Sequence, residues 1–130
     1  MKRFIFFILL FLTSAAGTLM AQQAYVPKAA NALTKETLLS LRDGAGIPGE
    51  QVVKVYPVFE DFYTAMQSTI AEMRIYGNNT AEEINKAWEN LSVARDERLV
   101  NIFTEGEMAK WQKKIEPSLR LQRIKEEQKY

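Results

Sequence analysis

Side chains able to do acid–base or ligand chemistry are few in kind here. The 130-residue chain contains no His and no Cys. Their absence removes Ser-His and Cys-His nucleophilic catalysis, thiolate sites and imidazole metal sites. Disulfides go with them. What remains is carboxylate chemistry, and the acids that cluster are sequence neighbours: Glu60-Asp61, Glu82-Glu83 and Glu126-Glu127. Adjacent residues on a helix point about 100° apart, so such pairs do not converge as a general acid/base dyad or as an oxygen cage for a cation. No glycine-rich phosphate loop is present. The expectation is a protein that is not an enzyme, with no catalytic residues, no metal and no cofactor. Inward-pointing Asp/Glu meeting in a pocket would revive the enzyme reading.

A binding role would draw on apolar surface. Tyr56, Phe59, Phe62, Tyr63, Met66, Met73 and Tyr76 form an aromatic and methionine stripe. Such side chains suit promiscuous surfaces, because Met adapts its shape and rings contribute area at little conformational cost. Tyr56, Phe59, Tyr63, Met66 and Met73 are the candidate client-binding residues. The same stripe also serves as a core or a dimer interface, and the sequence does not separate the three. Late in the chain Arg95, Arg98, Arg120, Arg123 and Lys113-Lys114 read as solvated helix faces, or as a rim attracting acidic clients. Asp96-Glu97 interleave with the first pair, so there is no clean basic face.

The elements that must position these residues are helices. A short helix spans 32–42, with Thr34 as its N-cap and Asp43-Gly44-Ala45-Gly46 as its stop. A long second helix runs from Pro48, in its first turn, to Tyr76, with Gly77 as a left-handed cap. Within it Val52, Tyr56, Phe59, Tyr63, Met66, Ile70 and Met73 alternate by four and three, a heptad seam. Val55, Phe62, Thr69 and Tyr76 widen that face beyond a two-stranded seam. Pro57 should bend the helix, since it removes the bond to the Val53 carbonyl. The third helix opens with Thr80-Ala81-Glu82-Glu83, a capping box in which Thr80 and Glu83 satisfy each other's N–H groups. Ile84, Ala87, Trp88, Leu91, Ala94, Leu99 and Ile102 trace its inner face. A second box, Thr104-Glu105-Gly106-Glu107, opens the fourth helix, which carries Met108, Trp111, Ile115, Leu119 and Ile124. Pro117 should bend it, and the Lys/Glu/Gln-rich end after Leu121 should fray. The fold class is all-α: a long bent helical hairpin with flanking shorter helices, after an N-terminal signal peptide.

That signal peptide is expected at 1–21. Lys2 and Arg3 precede an apolar run at 4–12, small residues follow, and cleavage falls near Ala21. The run is short for a membrane span, so the mature chain is expected to have no stable membrane insertion and to be periplasmic or secreted. A flexible leader covers 22–31 and one helical domain covers 32–130. Lys+Arg number 17 and Asp+Glu 16; without Lys2 and Arg3 the balance is 15 against 16. That near-neutrality gives no electrostatic reason to bind nucleic acid.

Ile47-Pro48-Gly49-Glu50-Gln51 can be laid over Phe103-Thr104-Glu105-Gly106-Glu107 at an offset of 56 residues. Each begins with a large apolar residue, continues with a helix-start residue and carries Gln or Glu in fifth place. Ile47, Gln51, Phe103, Thr104 and Glu107 are the motif residues of this staple-and-cap helix start. A secreted all-helical chain with two such starts resembles the periplasmic LTxxQ-motif family, the Spy/CpxP-like proteins, over roughly residues 47–121. Both copies depart from the family pattern: Pro48 stands for Thr, Glu107 for Gln, and neither begins with Leu. The resemblance implies bent helices, a cradle-shaped homodimer, and ATP-independent binding of unfolded clients or envelope proteins on the concave face. An alternative from another class is a regulatory or structural protein that docks on one specific envelope partner.

Overall fold

A computed structural model describes residues 28–128. The signal peptide expected at 1–21 and residues 22–27 of the leader lie outside the described residues. Among the described residues the chain is all-α, with no strand. None of its helices is long and apolar enough to cross a membrane.

Helix α1 (Ala30–Leu39) begins earlier than the sequence reading had it, so the leader ends before Asn31. Ala29, in extended backbone, precedes the first turn. Thr34 is not the cap. It is fully buried, and its hydroxyl donates back to the Ala30 carbonyl at 2.8 Å. Thr37 does the same to Leu33 at 3.0 Å. A hydroxyl satisfied within its own helix can be buried without an orphan donor, which lets these threonines face the core. The helix widens into a π-helical turn at Ser40–Gly44 and is closed by Gly46, whose φ of 68° suits glycine.

The expected single helix 48–76 is two: α2 (Gly49–Lys54) and α3 (Tyr56–Ile75). The break falls at Val55 (φ −91°, ψ 0°), two residues before Pro57. A proline ring would collide with the carbonyl four residues back and disfavours helical backbone just before it. Breaking at Val55 instead places Pro57 in the first turn of α3, where its missing N–H costs nothing. Gly77 (φ 74°) ends the helix in a Schellman closure: its N–H reaches Arg74 O at 3.2 Å and the Asn78 N–H reaches Met73 O at 2.8 Å.

Helix α4 (Ala81–Leu99) starts at Thr80, whose hydroxyl accepts from the Glu83 N–H at 3.2 Å. The reciprocal half of that expected box is not formed. At the next start both halves are present: Thr104 and Glu107 cap α5 (Glu105–Lys110) reciprocally. A second π-helical turn, Trp111–Ile115, then leads into α6 (Glu116–Gln128). Where the chain breaks ahead of Pro57, ahead of Pro117 it widens into this π-helical turn instead. The expected fraying after Leu121 is overturned: α6 continues to Gln128, held by the buried residues Arg123 and Glu127.

Helix α3 lies in the middle, with α1 against one side and α4 against the other, while α6 covers α4. Edge-to-face rings lock the centre. Phe62 meets Trp88 at 4.9 Å, and Phe59 meets Trp111 at 4.9 Å. The two π-helical turns meet at one end, where a Cβ on Gly44 would stand 3.3 Å from Ile115 Cδ1.

Candidate functional site

The five motif residues are brought together. Ile47 and Phe103 are buried anchors at 2% and 6% exposure. With proline at the cap position, α2 has no cap N–H for a fifth-place side chain to satisfy, so Gln51 turns outward from its own helix start. Its amide donates to the Ile102 carbonyl at 2.8 Å and to Glu107 Oε1 at 2.9 Å. The same Glu107 oxygen accepts from the Thr104 N–H at 3.0 Å. Gln51 and Glu107 occupy equivalent places of the 56-residue repeat, so this bond joins the two copies. The repeat also runs further than the motif. Gly49–Lys54 and Glu105–Lys110 are equally long helices at that offset, and Val52/Met108, Val55/Trp111 and Phe59/Ile115 are buried at matching places.

The Gln51 amide, and secondarily the Thr104 N–H, hold the Glu107 carboxyl below its ordinary range. A carboxylate with a lowered folded pKa contributes stability that is complete above its unfolded value, near 4.3, and is lost as pH falls through the folded value. Removing Gln51 should therefore raise the Glu107 titration midpoint, read by NMR, and flatten the acid limb of the stability curve. A Gln51→Ala, Glu107→Ala double-mutant cycle should give a coupling of about 1 kcal/mol, the scale of one charge-assisted bond that is only part-buried. A coupling indistinguishable from zero would mean that the two copies are joined by apolar packing alone.

The client-binding assignment fares differently. Phe59, Tyr63 and Met66 are buried at 0%, 3% and 2% exposure. Tyr56 is half-buried, its hydroxyl 3.4 Å from Glu60 Oε2, and Met73 is half-buried against the core. This is a correction for the three buried residues, and its cause is α1. The wide apolar face of α3 is covered on both sides within one chain. At the α1 contact, Thr37 Oγ1 and Tyr63 Oη lie 2.7 Å apart. Because the one Thr37 proton goes to Leu33, the Tyr63 phenol is the donor, and burial pushes its pKa up.

Sequence reasoning missed a polar centre on the far side of α3. Arg95, expected on a solvated face, is 4% exposed. Its guanidinium carbon lies 4.6 Å from the Phe62 ring centroid, 5.0 Å from Trp111 and 5.8 Å from Trp88. Asp96 accepts from its Nε at 2.9 Å, and Glu116 stands 3.7 Å from its Nη2. Glu116 also accepts from the Trp88 indole N–H at 2.6 Å and faces Arg120 at 3.4 Å. Arg95 Nη1 has no hydrogen-bond acceptor, and three aromatic neighbours take that role electrostatically. Nothing in the structure supplies an acceptor for the Trp111 indole N–H. A signal for Arg95 was present: it falls on the row of Ile84, Trp88 and Leu99, all fully buried. Arg123 is likewise buried, Arg120 half-buried, and Arg98 is an exposed partner of Asp61 at 2.7 Å.

Of the stripe, Phe59, Phe62, Tyr63 and Met66 are enclosed while Tyr76 stays exposed, and the other large apolar side chains left at the surface are Leu39, Val53, Ile75, Val93, Val100 and Leu121. The chain matches no protein-family model, and no curated protein or solved structure matches it either.

Proposed function

We propose that the chain is a Spy/CpxP-like helical binding protein of the LTxxQ type, periplasmic or secreted after loss of a signal peptide near Ala21. In this reading it holds exposed apolar segments of unfolded proteins without nucleotide and pairs as a homodimer. The observation that carries it is the direct bond between fifth-place residues Gln51 and Glu107, at two helix starts 56 residues apart. That contact joins the two helix starts and supports reading them as a motif pair despite the substitutions at Pro48 and Glu107. Support for a binding role comes from Val93, Val100, Val53 and the Ile75-Tyr76 pair, which remain exposed on a chain whose core is already closed.

The test uses protein lacking residues 1–21. Added in several-fold excess to a thermally aggregating client without ATP, it should suppress the light scattering of the client. Unchanged client aggregation removes the proposal. A pull-down that returned one stoichiometric partner and no general client binding would favour docking on a single envelope protein instead.

A further inference from the structure

We infer that the groove along the outer side of α4, where it meets α5, the second π-helical turn and α6, receives a basic amphipathic helical segment of another protein. This rests on the binding role proposed above and names its surface and partner class. Two adjoining hollows of about 290 and 320 Å³ make up the groove, and Gln112 lines both. From Glu89 to Val100 along α4 it spans roughly 16 Å at ~1.5 Å per residue, the length of about three helical turns. Val93 and Val100 lie seven residues apart on one helix face, 60% and 57% exposed, Val93 in one hollow and Val100 in the other beside Phe103 and Met108. An apolar row of that spacing matches the i, i+3/i+4, i+7 anchors of an amphipathic helix laid in a groove.

The charge decides the partner. Four carboxylates line the groove, on Glu89, Asp96, Glu105 and Glu116, against two guanidinium groups, on Arg95 and Arg120. Both cations are already held by these acids: Arg95 by Asp96 and Glu116, and Arg120 by Glu89 and Glu116. The exposed residues Lys110, Lys113 and Lys114 do not line it. Other hollows have the opposite balance. One is lined by Lys28 and Arg74 against Glu127, another by Arg95 and Arg98 against Asp61. An acidic rim over an apolar floor favours a helix with Lys or Arg flanking its apolar row.

Two dye-labelled amphipathic peptides test this, each about 14 residues long to span the groove at ~1.5 Å per residue. They share one leucine row; one carries Lys elsewhere and its twin carries Glu. In fluorescence anisotropy the Lys peptide should bind about tenfold more tightly than its twin at low salt, with the advantage shrinking as added salt screens the rim. A Val93→Ser, Val100→Ser variant should weaken the Lys peptide about fivefold, as loss of two small apolar contacts predicts, while its melting temperature stays unchanged. A Glu89→Gln, Glu105→Gln variant should reduce the discrimination between twins. Equal or tighter binding of the Glu peptide, undiminished binding by the valine variant, or unchanged discrimination by the glutamate variant would each overturn the assignment. If the Lys peptide fails to bind while the protein still suppresses client aggregation, the groove is wrong and the binding role stands. If both fail, both fall.

Discussion

Glu116→Ala should cost about 3–5 kcal/mol of folding stability, the range for breaking a buried ion pair by removing one partner. Two losses combine. The Trp88 indole N–H, now 2.6 Å from Glu116, is left without its acceptor in a fully buried position, worth about 1–3 kcal/mol. Arg95 keeps Asp96 but loses the second carboxylate that balances its charge inside the aromatic box. Glu116→Gln should cost less, since an amide oxygen can still accept from Trp88. Arg95→Met should also cost less, because an unbranched apolar chain can occupy the space among Phe62, Trp88 and Trp111, and Glu116 retains Arg120 and Trp88. Urea denaturation of the three variants checks the order. A Glu116→Ala loss below about 1 kcal/mol, the scale of an exposed pair, would mean that water entering from the groove already screens this centre.

How much of this was legible beforehand divides by range. Features that depend on a few consecutive residues were readable. Gly77 takes the left-handed backbone after α3, and Thr104 and Glu107 close the box that opens α5. Proline effects were readable in kind but not in place. Pro57 was expected to bend a continuous helix, whereas the chain breaks at Val55, because relief can come anywhere in the turn that precedes the ring. The 56-residue repeat was visible, yet its physical content was not: a Gln side chain bridging to the other helix start depends on tertiary placement. The polar centre was missed because Arg95 and Glu116 are ordinary surface residues by type. Only the row shared with Ile84, Trp88 and Leu99 marks Arg95 as inward-facing, and apolar periodicity is blind to a charged member of such a row.

The aromatic stripe separates what periodicity can say from what it cannot. Heptad spacing identified the face of α3 that avoids water, and Phe59, Phe62, Tyr63, Met66 and Ile70 are all buried on it. It anticipated the hairpin partner α4, whose Trp88 meets Phe62, but not the second cover. That cover is α1, whose threonines bury themselves by bonding their own helix and so offer no obvious apolar row. Phe59→Ala therefore provides the sharper experiment. Phe59 is fully buried, with its ring packed edge-on against Trp111. Truncation should cost about 3–5 kcal/mol through lost transfer energy and the cavity left behind. That is a large share of the ~5–15 kcal/mol that holds a domain of this size together. Under the proposed function, client binding per folded molecule should not change, because a side chain with no exposed surface touches no client. Chemical denaturation followed by a binding assay at low temperature, where the variant remains folded, separates the two effects. A stable Phe59→Ala protein with impaired client binding would reverse the conclusion and return the stripe to the surface. The Val93→Ser, Val100→Ser variant should behave in the opposite manner, with stability intact and binding reduced, so the pair of variants distinguishes the residues that build the bundle from those that remain free to act.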